Sequence, residues 1–308
     1  GGAKAGLGGA RRGLQDITNK TEKAAVAGKD GKKPASSGMV LRSSVTAAGS
    51  GPEAAGSSAM QVDPPAPVLE GPEEAAPVAP PARRAKVMPS ARAATDIDAR
   101  DANEPLALTE YVEELYDYYR HREVDTRPAP DAVTRQPHVT PRMRAILIDW
   151  LVEVHLKFKL VPDTLYLTVY IIDKYLEFAT VSRNNLQLLG VTALLLASKY
   201  EEIFPPEVRD LVYITDRAYT KEQILEMETT VLNEINFKLT VPTVYCFLLR
   251  YLKAAHADKR IVQLSCYMAE RMLQESEMLD FLPSVIASSA IYVARKNLNR
   301  NAWSPTLE

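Results

Sequence analysis

From Leu108 onward, apolar side chains recur at three- and four-residue steps, the spacing of a helix with one buried face. The stretch LTEYVEELYDYYRHRE carries Leu108, Tyr111, Val112, Leu115 and Tyr119 in this pattern and predicts an amphipathic helix beginning near Leu108. Residues 123–140, with Pro128, Pro130 and Pro137, read as a linker. Thr140 then offers an N-cap and Pro141 the first helical position, opening a helix over MRAILIDWLVEVHLKF. Val161-Pro162-Asp163 reads as a turn, with Asp163 capping a helix through Phe178. Ser182 starts NNLQLLGVTALLLASKY, which is apolar nearly all round, as a helix at the centre of a bundle is. Its Gly190, Ala193 and Ala197 let neighbouring helices approach closely.

Pro205-Pro206 closes that segment, and a short helix to Tyr213 follows. Thr220 with Gln223 fits a capping box ahead of a helix with Ile224, Met227, Val231 and Ile235 on one stripe. Five helices are thus expected between 141 and 236. Beyond Val241-Pro242 the pattern resumes in TVYCFLLRYLKAA, KRIVQLSCYMAERMLQES and PSVIASSAIYVARKNLN. The last is again rich in small residues (Ala287, Ser288, Ala290, Ala294), which reads as an internal repeat: two all-helical units in tandem, the second cut short at SPTLE, where another helix would start. With no competing strand alternation, the fold class is all-α.

Composition changes the picture for the first hundred residues. All 22 aromatic residues follow position 100, and 13 of the 14 glycines precede it. A segment without rings and rich in Gly, Ala, Ser and Pro cannot bury enough surface to offset chain entropy, so residues 1–100 are expected to be disordered. The expected division is therefore a tail (1–100), a first unit with its leading helix (101–238) and a second unit (239–308). The tail has 14 Lys and Arg against 10 Asp and Glu, and the body 23 against 29. A body of net charge −6 argues against a nucleic-acid surface. Two cysteines, Cys246 and Cys266, frame neither a disulfide scaffold nor a zinc site, and no run of 18 apolar residues suggests a membrane span.

Catalytic signatures are missing. Neither a glycine-rich phosphate loop nor HExxH occurs, the four histidines lack ligand spacing, and no cofactor or metal is expected. Binding is the better reading. On a helical wheel Met143, Ile146, Leu147, Trp150 and Val154 form one stripe, and Ile148, Leu151 and Val152 another. One stripe can face the core; the other needs a second layer or a partner, with Glu153 as an acidic rim. Glu228 sits among Ile224, Val231 and Ile235, where an isolated carboxylate is costly, so it must have a partner. Lys199 ends the central helix, where a cation also suits the helix dipole. Arg144 and Asp173 are a further candidate pair between neighbouring helices.

MRAILIDWLVEVHLKF, LQLLGVTALLLASKYEEIFPPEVRDLVYITDRAYTKEQILEMETTVL and the region of Phe237 resemble the cyclin box, in the spelling of mitotic B-type cyclins, over roughly residues 105–308. The resemblance implies two stacked five-helix cyclin folds and a non-enzymatic subunit that activates a cyclin-dependent kinase at the G2/M transition. It implies that Lys199 and Glu228, with Leu115 and Phe237, bind the kinase, and that Arg144, Leu147 and Asp173 are structural positions of the box. It further implies that Met143, Ile146, Leu147, Trp150, Glu153 and Gln187 form a docking groove for Arg-x-Leu peptides of substrates or inhibitors. In the tail, Arg11, Leu14 and Asn19 match a destruction box, RxxLxxxxN, read by a ubiquitin ligase adaptor, with acceptor lysines such as Lys20 and Lys23 nearby. Residence in nucleus and cytoplasm is expected. The rival readings are a DNA-binding, transcription-factor-like version of the same fold and a passive helical scaffold.

Overall fold

Helix starts fall where local chemistry favours them. In the computed structural model, which describes residues 94–307, the Thr140 hydroxyl accepts the Met143 N–H at 3.3 Å, and Pro141 occupies the first turn of its helix. Thr220 and Gln223 form the expected reciprocal capping box. Nine α-helices and no strand occur among the described residues. After α1 (Val112–Thr126), the first bundle holds α2 (Pro141–Phe158), α3 (Pro162–Phe178), α4 (Leu186–Glu201), α5 (Val208–Ile214) and α6 (Lys221–Glu234). The second holds α7 (Val244–Ala254), α8 (Lys259–Met272), a 3-10 turn at Ser276–Asp280, and α9 (Pro283–Asn297).

Three helix starts differ from expectation, the first being α4, which begins at Leu186 after Ser182 has opened only a 3-10 turn at Arg183–Asn185. Leu108 has a φ of 49°, and a left-handed residue cannot continue a right-handed helix, so α1 begins at Val112. Asp163 is not a cap: Val161 holds that position and Pro162 follows it, which leaves Asp163 inside the first turn of α3. Burial, and then the nearby Glu202, raise its carboxyl above the usual range.

The repeat is visible in the packing. In the first bundle α4 is the central helix, touching α2, α3, α5 and α6; in the second α9 packs on both α7 and α8. Small residues allow both: Gly190, Ala193 and Ala197 are buried on α4, as are Ala287, Ala290 and Ala294 on α9. A Cβ at Gly190 would lie 2.7 Å from Leu147 Cδ1, so the approach of α4 to α2 depends on the missing methyl. Helix α3 serves both bundles, with Leu167, Ile171 and Ile172 in the first core and Tyr166 in the second.

Contacts distant in sequence join the leading segment to the second bundle. Tyr116 of α1 donates to the carbonyl of Cys246 at 3.0 Å, and Tyr116 and Tyr119 meet the Phe247 ring edge-on. Glu123, buried at the other end of α1, accepts from the Ser284 N–H at 2.8 Å and its hydroxyl at 2.7 Å, capping α9 from outside the helix. Residues 94–100, assigned by composition to the tail, join this arrangement. The Asp98 carboxylate takes both Arg250 nitrogens at 2.6 Å and Lys253 Nζ at 2.7 Å, and Lys253 also reaches Asp101.

Arg250 hydrogen bonds hold the Asp98 carboxyl at about 2, against the opposing effect of burial, with Lys253 adding to the lowering. A carboxyl depressed below its ordinary 3.8 stabilises the fold fully above that pH and loses its contribution as pH falls toward 2. The clamp should therefore open between about pH 4 and pH 2. Asp98→Asn should open it at neutral pH, with faster amide exchange over residues 94–101 and little change in the melting of the body. Unchanged exchange in this variant would show that the segment is held by other contacts.

Candidate functional site

Two ion pairs, each joining residues 29 apart in sequence, differ sharply in their surroundings. Arg144 on α2 and Asp173 on α3 are 2% exposed, and the guanidinium makes a fork-to-fork pair with Nε and Nη2 each 2.6 Å from a carboxylate oxygen. Its remaining nitrogen, Nη1, donates to the carbonyls of Leu273 at 3.0 Å and Gln274 at 3.3 Å, just beyond α8. Gln274 returns a bond to Asp149 at 3.0 Å. Arg144 thus fastens the second bundle to the first as well as α2 to α3, a link that no local pattern announces.

Lys199 and Glu228 pair with each other. The ammonium at the last turn of α4 lies 2.6 and 2.9 Å from the two Glu228 oxygens on α6. The partner required by the carboxylate is therefore intramolecular. The pair is lopsided, with the Glu228 side chain 13% exposed and Lys199 47% exposed. The Lys199 side chain therefore stays nearly half open to solvent, and large apolar side chains follow it in the chain.

A surface of large side chains is left exposed among the described residues. Ile203 and Phe204, directly after α4, are 87% and 89% exposed, and Phe237 is 67% exposed. The Tyr200 hydroxyl bonds to that of Thr240, drawing the end of α4 toward the Asn236–Phe237 turn, where both residues are left-handed (φ 53° and 56°). Tyr119 of α1 is close to Tyr200: burial first, then Cys246, Tyr118 and Tyr200, raise its hydroxyl above the usual range. Leu115, one turn earlier on α1, is half-buried. The resemblance names Lys199, Glu228, Leu115 and Phe237 for this surface and leaves Tyr200, Ile203 and Phe204 unnamed. The available signal for Ile203 and Phe204 was an apolar pair between Glu201-Glu202 and Pro205-Pro206 with no helical period to occupy.

The stripe of α2 expected to line a groove is mostly interior. Met143, Leu147 and Trp150 are buried, Leu147 completely, beneath Gly190 and the rest of α4. The second stripe is covered too, with Ile148 and Leu151 wholly buried and Val152 half-buried. Helix α2 touches α3, α4 and the 3-10 turn at Ser276–Asp280, so its extra apolar face is satisfied within the chain. Ile146, Glu153 and Gln187 alone among the six groove residues keep partial exposure. Any groove here has Met143, Leu147 and Trp150 as its floor rather than its walls.

Nothing among the described residues groups three or more His, Cys, Asp or Glu for a metal ion. No helix of the described residues is long and apolar enough to cross a membrane. Cys246 and Cys266 are free, and burial pushes the Cys246 thiol up to about 12, far from a reactive thiolate. Arg11, Leu14 and Asn19 lie outside the described residues.

Comparison with known proteins matches residues 114–240 to the family model "Cyclin, N-terminal domain" and residues 242–308 to "Cyclin, C-terminal domain". Cyclin-B2-1 of Oryza sativa subsp. japonica is 52% identical over 214 residues, covering 69% of this chain and 51% of the relative. Cyclin-B1-3 of Arabidopsis thaliana is 50% identical with the same coverage, and G2/mitotic-specific cyclin-1 of Medicago sativa subsp. varia is 48% identical over 69% and 50%. The chain spans about half the length of the curated relatives it matches. Among solved structures, a viral cyclin from herpesvirus saimiri superposes with a TM-score of 0.55 at 20% identity, over 60% of this chain and 82% of that one. That likeness concerns the fold alone.

Proposed function

The chain belongs to the cyclin family, and on that premise we propose that it is the regulatory subunit of a cyclin-dependent protein kinase acting at the G2/M transition. The observation that carries this reading is the Lys199–Glu228 pair, half open to solvent, with Ile203 and Phe204 a few residues beyond Lys199 and Phe237 just beyond the end of α6, all three exposed. A monomer gains nothing from leaving three such side chains in water, and an exposed apolar patch with a charged anchor marks an interaction surface. The catalytic subunit docks there through its activating helix. Contact with the active arrangement only shifts the kinase's two-state equilibrium, letting its Lys–Glu ion pair form and its activation loop order. The body's net charge of −6 disfavours the DNA-binding reading, which predicts salt-dependent binding to duplex DNA. The passive scaffold predicts binding without activation.

The test is reconstitution of the full chain with a cyclin-dependent kinase catalytic subunit. Phosphorylation of a short peptide should rise by about two orders of magnitude or more over the kinase alone, because the kinase's Lys–Glu ion pair and activation loop are out of place without the partner. No rise with a panel of such kinases overturns the proposal. Substrate recruitment is read in the same assay. Glu153→Lys with Ile146→Ala should weaken phosphorylation of an Arg-x-Leu substrate while sparing the short peptide. These are two of the three groove positions that retain exposure, whereas Trp150→Ala would cost about 3–5 kcal/mol of core packing and confound the result. Equal loss on both substrates counts against a groove.

Timed destruction is the third part of the proposal, supported by the RxxLxxxxN spacing of Arg11, Leu14 and Asn19. Arg11→Ala with Leu14→Ala should prolong the lifetime of the protein through mitotic exit and leave kinase activation unchanged. Disappearance at the wild-type rate in an extract with active ligase would reduce Arg11-Arg12 to a solvated basic pair.

A further inference from the structure

The joint between the two bundles is not filled. A cavity of about 100 Å³ lies where α3 faces the ends of α8 and α9 and the first residues of α7. Val169, Ala269 and Ile286 are buried in its wall, and Tyr166 and Tyr170 also line it. Met272 and Met278 complete the wall, while Phe281, half exposed, stands with Arg127 and Glu275 at its rim.

Most polar atoms in this wall are committed to one another; the exception is the Tyr166 hydroxyl, buried without a partner among the described residues. Arg144 and Asp173 make their fork and Arg144 Nη1 serves two carbonyls. Tyr170 donates to the carbonyl of Thr126 at 3.1 Å, and Arg127 to that of Asp280 at 3.1 Å. A charged guest would find no free counter-charge at the floor and would be desolvated without compensation. Water is a poor occupant too, since it requires two to four unspent polar partners and the Tyr166 hydroxyl is one. An apolar cavity of about 150 Å³ in a protein core holds benzene, and here the open mouth extends a similar space. Aromatic rings and two thioethers suit an aromatic guest, through ring-edge and sulfur contacts.

We infer that this joint is a binding site for a small, uncharged, single-ring aromatic molecule. The guest touches both bundles at once, so its binding tightens their union and links ligand concentration to the stability of the body. The site is separate from the Lys199–Glu228 surface and does not depend on the kinase reading.

Fluorobenzene is the probe, titrated into the full chain labelled at its eight methionine methyl groups. Saturable shifts are expected at Met272 and Met278, assigned by their Met→Leu variants, with the other methionines unmoved. Benzoate, of similar size but charged, should need at least about tenfold more ligand for the same shift, because the single unspent hydroxyl of Tyr166 does not offset the desolvation of a full charge. The melting temperature should rise with fluorobenzene. Ala269→Leu, which places a side chain in the cavity, should abolish the shifts. Should that variant not fold, direct ring-to-methyl magnetisation transfer at Met272 and Met278 in the wild-type chain decides the matter. Absence of saturation, equal response to benzoate, shifts spread over all the methionines, or undiminished binding by folded Ala269→Leu would overturn the site.

Discussion

Replacing Arg144 by Ala should lower the stability of the body by about 3–5 kcal/mol, the usual result of removing one partner from a buried ion pair. The change strands the Asp173 carboxylate, 2% exposed, and leaves the carbonyls of Leu273 and Gln274 without their donor. For a folded body of this size the melting temperature should fall by about 6–20 °C. Arg144→Lys should recover little, since a single ammonium cannot reproduce two parallel bonds to Asp173 and a third link to α8. Arg144→Met combined with Asp173→Leu should recover much of the loss between α2 and α3, because an apolar pair needs no compensation. Any deficit left in the double variant then measures the attachment of the second bundle. A single Arg144→Ala variant melting like the wild type would show that the pair is not structural.

Lys199→Glu should do the reverse, changing melting little and kinase activation greatly. The ammonium is nearly half exposed, and ion pairs at such positions contribute about 0–1 kcal/mol to folding. Once a partner covers the surface the same pair becomes buried and hydrogen-bonded. Disrupting it then costs about 2–5 kcal/mol of binding, or roughly 30-fold to several-thousand-fold in affinity. Exchanging the charges, Lys199→Glu with Glu228→Lys, separates the two roles. The swap restores a pair within the cyclin, so a purely internal role predicts recovery of activation, whereas direct reading by the kinase predicts none. Wild-type activation by Lys199→Glu alone would sink the assignment.

The contrast between these pairs also shows how far a sequence can be read. Both were recognisable as charges in apolar company, yet their letters do not distinguish a pair enclosed by two bundles from one at an edge. Their different fates come from Leu273 and Gln274 lying over Arg144, and from nothing described lying over Lys199. The two stripes of α2 carry the same lesson. A wheel reports that both sides are apolar, but whether a partner or the chain itself covers the second side depends on where α3 and the Ser276–Asp280 turn come to rest.

What the sequence determined by itself was local. Thr140 before Pro141, the Thr220–Gln223 box and the small residues of α4 and α9 specify helix starts and central positions through bonds and contacts within a few residues, so their signal is periodic and legible. The tertiary structure alone decided the connections over long separations. Glu123 caps α9 from 161 residues away, Asp98 clamps Arg250 from 152, and Arg144 holds the carbonyl of Leu273 from 129. Each is a side chain meeting a group that becomes its neighbour only after the helices have packed, and backbone carbonyls and N–H groups are the same at every position. No spacing or composition encodes such a meeting, because its geometry is set by the packing of both hydrophobic cores.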